Sequence, residues 1–302
     1  MAAQITVLGS GSSGNATLVQ AEGRGLLIDC GFGPRDLGLR FQSVGLSWAN
    51  VNAVLLTHTH GDHWNRFTLE HLRRLRRPLI AHTLQHDALS ACDEYAALKK
   101  AGLVHDYGTA PFSLGGILRV QPIEVPHDSA PTYAFRIGQT LPDGRTWSYG
   151  HASDLGCVPD ELLERFHGVD VLSLEFNHCV KLERASRRPR HLVQRVLSDL
   201  GHLSNDQAGD VLKAWVDAGE PGDLQAVIAL HLSRDCNTPE LALDSARAAA
   251  PDSQVHAATQ SAATPTITVQ PRAPRNETAR RPVLPNRQHH PTLLDVAEGK
   301  SG

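Results

Sequence analysis

The sequence predicts an α/β fold, and three observations predict it. Short apolar segments of strand character recur from Ile5 to Leu230, several of them separated by segments with helical spacing. The 302 residues are 41% hydrophobic and 20% charged, an ordinary globular composition and long enough for a core of two sheets. Four residues of metal-binding type, His58, His127, Asp154 and His231, each come within a few positions after a predicted strand. If those strands run compatibly, their C-terminal ends bring the four together.

Taken in order, Ile5 to Leu8 and Ala16 to Val19 read as strands around the loop Gly9-Ser10-Gly11-Ser12-Ser13-Gly14-Asn15. Glycines there permit positive φ, and Ser12, Ser13 and Asn15 offer donors, so the loop is suited to phosphate or to a plain hairpin turn. It lacks the Gly-Lys-Ser/Thr of a P-loop. Gly25 to Gly31 is a buried strand carrying Asp29. That acid reads either as a hydrogen-bond acceptor behind a ligand histidine or as the cap of a helix over 34–41. Ala53 to Leu56 is a strand, and Leu69, Leu72 and Leu75 give helical spacing to 68–76, with Arg73, Arg74, Arg76 and Arg77 on its outer face. His82 and His86 read as surface or internally satisfied histidines. Strands follow at 117–125, 133–137, 147–150, 169–175 and 226–230, and a helix at 206–217 takes Ser204 or Asn205 as N-cap.

The densest chemistry is Thr57-His58-Thr59-His60-Gly61-Asp62-His63, directly after an apolar strand. Neutral imidazole and carboxylate are ligands for zinc and neighbouring first-row metals. His58 and His60 point the same way on an extended backbone, and Gly61 lets Asp62 and His63 turn towards a second ion.

Net charge is −3, which does not mark the whole chain as a nucleic-acid or membrane binder. The five cysteines are odd in number and scattered, which fits a reducing compartment rather than a disulfide framework. No signal-like segment and no long apolar run is present, so cytoplasmic localisation and no membrane association are expected. From residue 251 onward the composition shifts to Ala, Thr, Gln, Pro and Arg. This predicts a domain over 1–250 and a disordered tail over 251–302, in which Leu293 to Val296 forms a short apolar group.

Several segments together carry a family resemblance: 10–15, 57–63, 125–128, Glu175-Phe176-Asn177-His178, Gly201 to Asn205 and His231 to Asn237. They resemble the YycJ/WalJ-like branch of metallo-β-lactamase-fold hydrolases over roughly residues 4–250. Cys179 departs from the acid expected after Asn177-His178. The resemblance implies an αββα sandwich with two divalent ions at one edge of its sheets. His58, His60 and His127 would hold one ion, Asp62, His63 and His231 the other, and Asp154 would bridge them. Zinc and manganese both suit such ligands, and iron is a further option.

The resemblance further implies a phosphodiesterase or nuclease, of the 5′-to-3′ exodeoxyribonuclease kind, working through a hydroxide shared by the ions. Asp62 is thus counted among the catalytic residues. His202 is the first candidate to protonate the leaving group and His178 the second. Ser12, Ser13 and Asn15 would hold a phosphate oxygen, and the arginines from Arg184 to Arg190 would meet a nucleic-acid backbone. Competing readings keep the metals but change the bond to a small cyclic phosphate, thioester or lactone. Others make the site a structural element of a regulatory protein, or a redox diiron centre. The sequence leaves oligomeric state open.

Overall fold

The computed structural model describes residues 2–129, 131–220, 222–273 and 281–284. The chain opens with β1 (Ala3–Gly9), β2 (Ala16–Ala21), β3 (Arg24–Ile28), α1 (Pro34–Ser43), β4 (Ala53–Leu55), α2 (Arg66–Leu75) and β5 (Leu79–His82). There follow α3 (His86–Ser90), α4 (Asp93–Lys100), β6 (Val104–Tyr107), β7 (Phe112–Leu114), β8 (Leu118–Val125), β9 (Thr132–Thr140) and β10 (Thr146–Ala152). The last part comprises α5 (Asp160–Phe166), β11 (Val171–Glu175), α6 (Val180–Ala185), α7 (Arg190–Val196), α8 (Asn205–Ala218), β12 (Ala226–Leu230), α9 (Pro239–Ala249), β13 (Gln254–Ala257) and β14 (Ile267–Val269).

Among the described residues these strands form two seven-stranded sheets, in the orders β14-β1-β2-β3-β4-β5-β6 and β13-β12-β11-β10-β9-β8-β7. Each sheet has an antiparallel part and a parallel part. β3 through β6 run parallel in one, and β10 through β13 in the other. Parallel strands have both faces covered, which explains why their sequences read as apolar runs.

Strand alternation sorts the core into three layers. Ile5, Val7, Leu26 and Ile28 of the first sheet meet Phe135, Tyr149, Val171, Ile228 and Leu230 of the second in a shared inner core. On the other face of the first sheet, Leu8, Leu27 and Val54 pack against Leu37, Phe41, Leu69 and Leu98 of α1, α2 and α4. On the outer face of the second, Leu172, Leu174, Val227 and Ala229 pack against Phe166, Leu212, Trp215 and Ala246 of α5, α8 and α9. The layers are helix, sheet, sheet, helix, the αββα order that the resemblance implies. Burying one large aliphatic side chain contributes about 1.5–3 kcal/mol, so these three layers supply the main driving force.

Local signals hold where they were strong. Ser204 caps α8 in a reciprocal box with Gln207. α1 takes Gly33 as its N-cap with no side-chain cap, so Asp29 is free of capping duty.

The domain does not end at residue 250. β13 pairs with β12 and β14 with β1, each adding an outermost strand to a sheet. Ile267 and Val269 point into the core while Thr268 faces out. Two apolar side chains suffice for a three-residue strand, so the sparse apolar content after 250 hid it. Residues 274–280 and 285–302, including Leu293 to Val296, lie outside the described residues. No helix among the described residues is long and apolar enough to cross a membrane.

Candidate metal centre

Strand ends position the site. β3, β10 and β12 each run on to an Asp or His with left-handed backbone: Asp29 (φ 59°), Asp154 (φ 60°) and His231 (φ 54°). That conformation costs a non-glycine residue of order 1 kcal/mol, and such residues gather at functional sites. β4 enters the loop Leu56 to His63, and β8 leads to His127. Gly31 lets the loops close up, because a Cβ there would stand 1.8 Å from the Asp62 carbonyl oxygen.

His58, His60 and His127 form one donor cluster, its ligand atoms all within 4.8 Å of one another. His60 Nδ1 lies 3.2 Å from His58 Nε2 and 3.3 Å from His127 Nε2. The other ring nitrogens are committed outward. His127 Nδ1 donates to the Gly201 carbonyl at 3.0 Å. His58 Nδ1 lies 3.0 Å from Thr57 Oγ1, whose own proton goes to Asp29. These partners set the tautomers and leave lone pairs converging on one point.

Asp62, His63, Asp154 and His231 form the second cluster, again within 4.8 Å. His63 Nε2 faces Asp154 Oδ2 at 3.1 Å, and His231 Nε2 faces Asp62 Oδ2 at 3.3 Å and Asp154 Oδ1 at 3.4 Å. His63 Nδ1 donates to Asp29 Oδ2 at 2.8 Å, and His231 Nδ1 to Glu175 Oε1 at 3.0 Å. Asp29 also accepts from the backbone N–H and hydroxyl of Thr57. One carboxylate thus ties both Thr57 and His63, the two ends of the histidine loop.

These donors fit a pair of cations. Nε2 lone pairs and carboxylate oxygens aimed at each other repel unless positive charge lies between them. With no cation, protons take that place. Burial opposes charge on His231, but Asp154, Asp62 and Glu175 outweigh it and push its imidazole up to about 10. His63 is raised well above its usual value against its burial, by Asp154 and Asp29. Asp62 and Asp154 resist their own burial and fall well below the usual carboxylate range, held there by the facing imidazoles. The two clusters are consistent with a dinuclear site.

Glu175 and His202 were not paired in the sequence reading. Glu175 Oε1 accepts from His202 Nδ1 at 2.8 Å as well as from His231, and Oε2 accepts the backbone N–H groups of Leu155 and Leu203. Burial works against its charge, yet the His202 imidazole and these hydrogen bonds bring it down to about 2. The signal for Glu175 was present: an acid closing an apolar strand, the same pattern that singled out Asp29.

The remaining sequence candidates fall in different places. His178 is fully buried, its backbone bridging Ser204, and it joins neither donor cluster, whereas His202 is partly exposed and its ring stacks on that of His231. Of these two candidates, His202 is the one with solvent access. Ser12 and Ser13 are exposed. Asn15 is buried, and its amide is spent on Asp62 Oδ2 at 3.2 Å and the Gly11 carbonyl at 3.2 Å; it supports the donors instead of facing outward with the serines. His82 bonds Tyr133 and His86 bonds Asp106, so both are satisfied. Arg188, in the basic stretch, is tied to Glu183 and Asp235.

Residues 24–221 match the family model described as "Beta-lactamase superfamily domain". The chain belongs to that family. With its convergent donor clusters, this member of the beta-lactamase superfamily is a metal-dependent hydrolase. It is similar to the exodeoxyribonuclease YycJ of Bacillus anthracis, 27% identical over 255 residues that cover 80% of this chain and 87% of the relative. It is also similar to the exodeoxyribonuclease WalJ of Streptococcus pneumoniae serotype 2, 26% identical over 238 residues, 78% of this chain and 84% of the relative. Its fold matches that of the metallo-beta-lactamase fold protein YhfI from Bacillus subtilis, with a TM-score of 0.59 at 17% identity over 87% of this chain and 99% of that one.

Proposed function

We propose that this superfamily member hydrolyses phosphodiester bonds, with DNA as its substrate. The observation that carries the reading is the pair of donor clusters beside a Glu175–His202 pair, with His60, Asp62 and His202 partly exposed among them. The similarity to exodeoxyribonucleases over most of both chains supports the choice of bond. His58, His60 and His127 would hold one divalent cation, Asp62, His63 and His231 the other, with Asp154 between them, and zinc or manganese suits the donors. Two such ions supply Lewis acidity and make a water acidic enough to act near neutral pH.

The chain's own residues do the rest. Asp29, Glu175, Thr57 and the Gly201 carbonyl keep each imidazole in one tautomer and one orientation. Asn15 holds the Asp62 carboxylate in place. Ser12 and Ser13 offer hydroxyls to a phosphate oxygen from the exposed turn of their loop. His202, its Nδ1–H anchored on Glu175, keeps Nε2 for the leaving oxygen, to which it would pass a proton.

The test is a cleavage assay on end-labelled duplex DNA with manganese- or zinc-loaded protein. Cleavage that vanishes with a chelator and in His202→Ala supports the reading, and the product ladder gives the polarity. Intact DNA with protein that holds both ions would shift the assignment to another ester.

A further inference from the structure

Resting on the phosphodiester reading, we propose that Arg195 binds a second phosphate of the substrate, next to the one being cleaved. The enzyme would then favour an oligonucleotide over a diester with a single phosphate.

The argument starts from place. Arg195 lies in the last turn of α7, and the chain then turns through Ser198 and Gly201 into His202. Gly201 packs against that turn so closely that a Cβ would stand 2.2 Å from the Arg195 carbonyl oxygen, which fixes the arginine relative to the proton donor. The Arg195 side chain reaches across to Asp128, whose Oδ2 accepts from its Nε. The other oxygen of Asp128 is 3.3 Å from His127 Nε2 and 3.4 Å from His60 Nε2. One carboxylate therefore separates the guanidinium from the first donor cluster.

Next comes what the guanidinium leaves unused. Its side chain is 49% exposed, and among the described residues neither Nη nitrogen has a hydrogen bond. Two donors of a planar fork remain for the bidentate geometry that phosphate oxygens match. Several other arginines are more fully committed. Arg40 spends both Nη nitrogens on the Leu8 and Gln260 carbonyls, and Arg66 and Arg73 each spend Nε and one Nη on Glu94 and Glu70. Arg188, from the basic stretch first read as the backbone contact, is committed to Glu183 and Asp235.

Charge favours the same assignment. The donors bring Asp62, Asp154 and Glu175 to one end of the sandwich, with Asp128 at its edge. Asp128 chiefly, through its hydrogen bond and charge, stabilises the Arg195 cation against partial burial, and Asp154 and Asp62 add to it from the donor end. A polyanion needs a cation there besides the metals, and salt-dependent phosphate contacts of this kind dominate nucleic-acid affinity.

Steady-state kinetics on the metal-loaded full chain tests this. The substrates are a single-stranded oligodeoxynucleotide and bis(p-nitrophenyl) phosphate, which has one phosphate. Arg195→Gln is expected to raise KM for the oligonucleotide at least about tenfold with kcat within about twofold. The loss in kcat/KM on the oligonucleotide should exceed the loss on the one-phosphate diester by at least about tenfold. The slope of log kcat/KM against log salt should become shallower by about 0.7, the share of one single-strand phosphate contact. Arg195→Lys, which keeps the charge, should recover part of the KM. Equal falls in kcat on both substrates would overturn the proposal, because Arg195 would then act through Asp128 on the donors. Unaltered kinetics on the oligonucleotide would overturn it too. If wild-type protein holding two ions cleaves neither substrate, the phosphodiester reading itself falls, a result distinct from either variant outcome.

Discussion

Both donor clusters contain buried imidazoles, yet those imidazoles are charged in opposite ways. Burial keeps His58, His60 and His127 neutral: each imidazole is pushed below its usual value, and the neighbouring rings add to the effect. His63 and His231 suffer the same desolvation and are pushed up instead, His231 to about 10, because Asp154, Asp29, Asp62 and Glu175 face them. The difference comes from carboxylates. The first cluster is ready for a cation at neutral pH, whereas the second holds protons that a cation must displace. The clusters meet through Asp154, whose charge is felt by His58 as well as by His63 and His231.

The largest effect should come from removing that junction. Asp154→Ala leaves two buried imidazoles without their main counter-charge. Losing a charge that both donor clusters share should lower activity on DNA about a thousandfold. A kcat/KM within about tenfold of wild type would separate the clusters functionally and break the comparison.

Asp29→Asn comes next. It disturbs the acceptor that aligns His63 and, through Thr57, His58, so it touches both clusters. Loss of such an orienting partner typically costs about 10–100-fold in metal affinity. Competition with a chromophoric chelator measures it, and weaker binding of only one ion would show that Asp29 serves only one cluster.

The pH dependence sharpens the comparison. In metal-free protein the raised His231 contributes stability that is fully present below its unfolded value of about 6.5 and is lost as pH rises towards 10. In melts taken with a chelator, His231 alone should account for a loss of roughly 2–3 kcal/mol between pH 6.5 and about 8.5, and His63, raised in the same sense, should add to it. Metal-loaded protein should change in the opposite sense relative to metal-free protein, since protons compete less with the ions as pH rises. Parallel curves with and without metal would contradict the proton-for-cation exchange.

The smallest effect belongs to Gln260. Its Oε1 accepts from Ser13 N–H at 2.8 Å and its Nε2 donates to the Gly14 carbonyl at 3.0 Å, so it braces the serine loop from the segment beyond β13. Gln260→Ala should remove about 1 kcal/mol of that support and raise KM about fivefold. The same KM with reduced metal content would place its role at the donors and not at the loop.

Much of the site was legible because its ligands crowd together. Four of the seven donors fall between His58 and His63, and the other three follow apolar strands, a spacing that elementary strand geometry turns into convergence. Asp29 could be read as an orienting acceptor because an acid closing a buried strand needs a partner. Glu175 ends its strand in the same way, and only its position between His202 and His231 reveals two partners. Asn15 looked like a substrate contact because a Gly/Ser loop exposes donors as readily as it buries them. β13 and β14 escaped notice because outermost strands this short need few apolar residues. Arg195 cannot be told from Arg184 or Arg190 by composition, since its proximity to Asp128 spans 67 positions of chain.

The most direct test of the account is metal stoichiometry by elemental analysis of wild type, His127→Ala and His231→Ala. Two ions per chain in the wild type and one in each variant, with the retained ion binding more tightly at low pH in His231→Ala than in His127→Ala, is the predicted result. A single ion in the wild type, or loss of both ions from either variant, would contradict two clusters that bind separately and meet at Asp154.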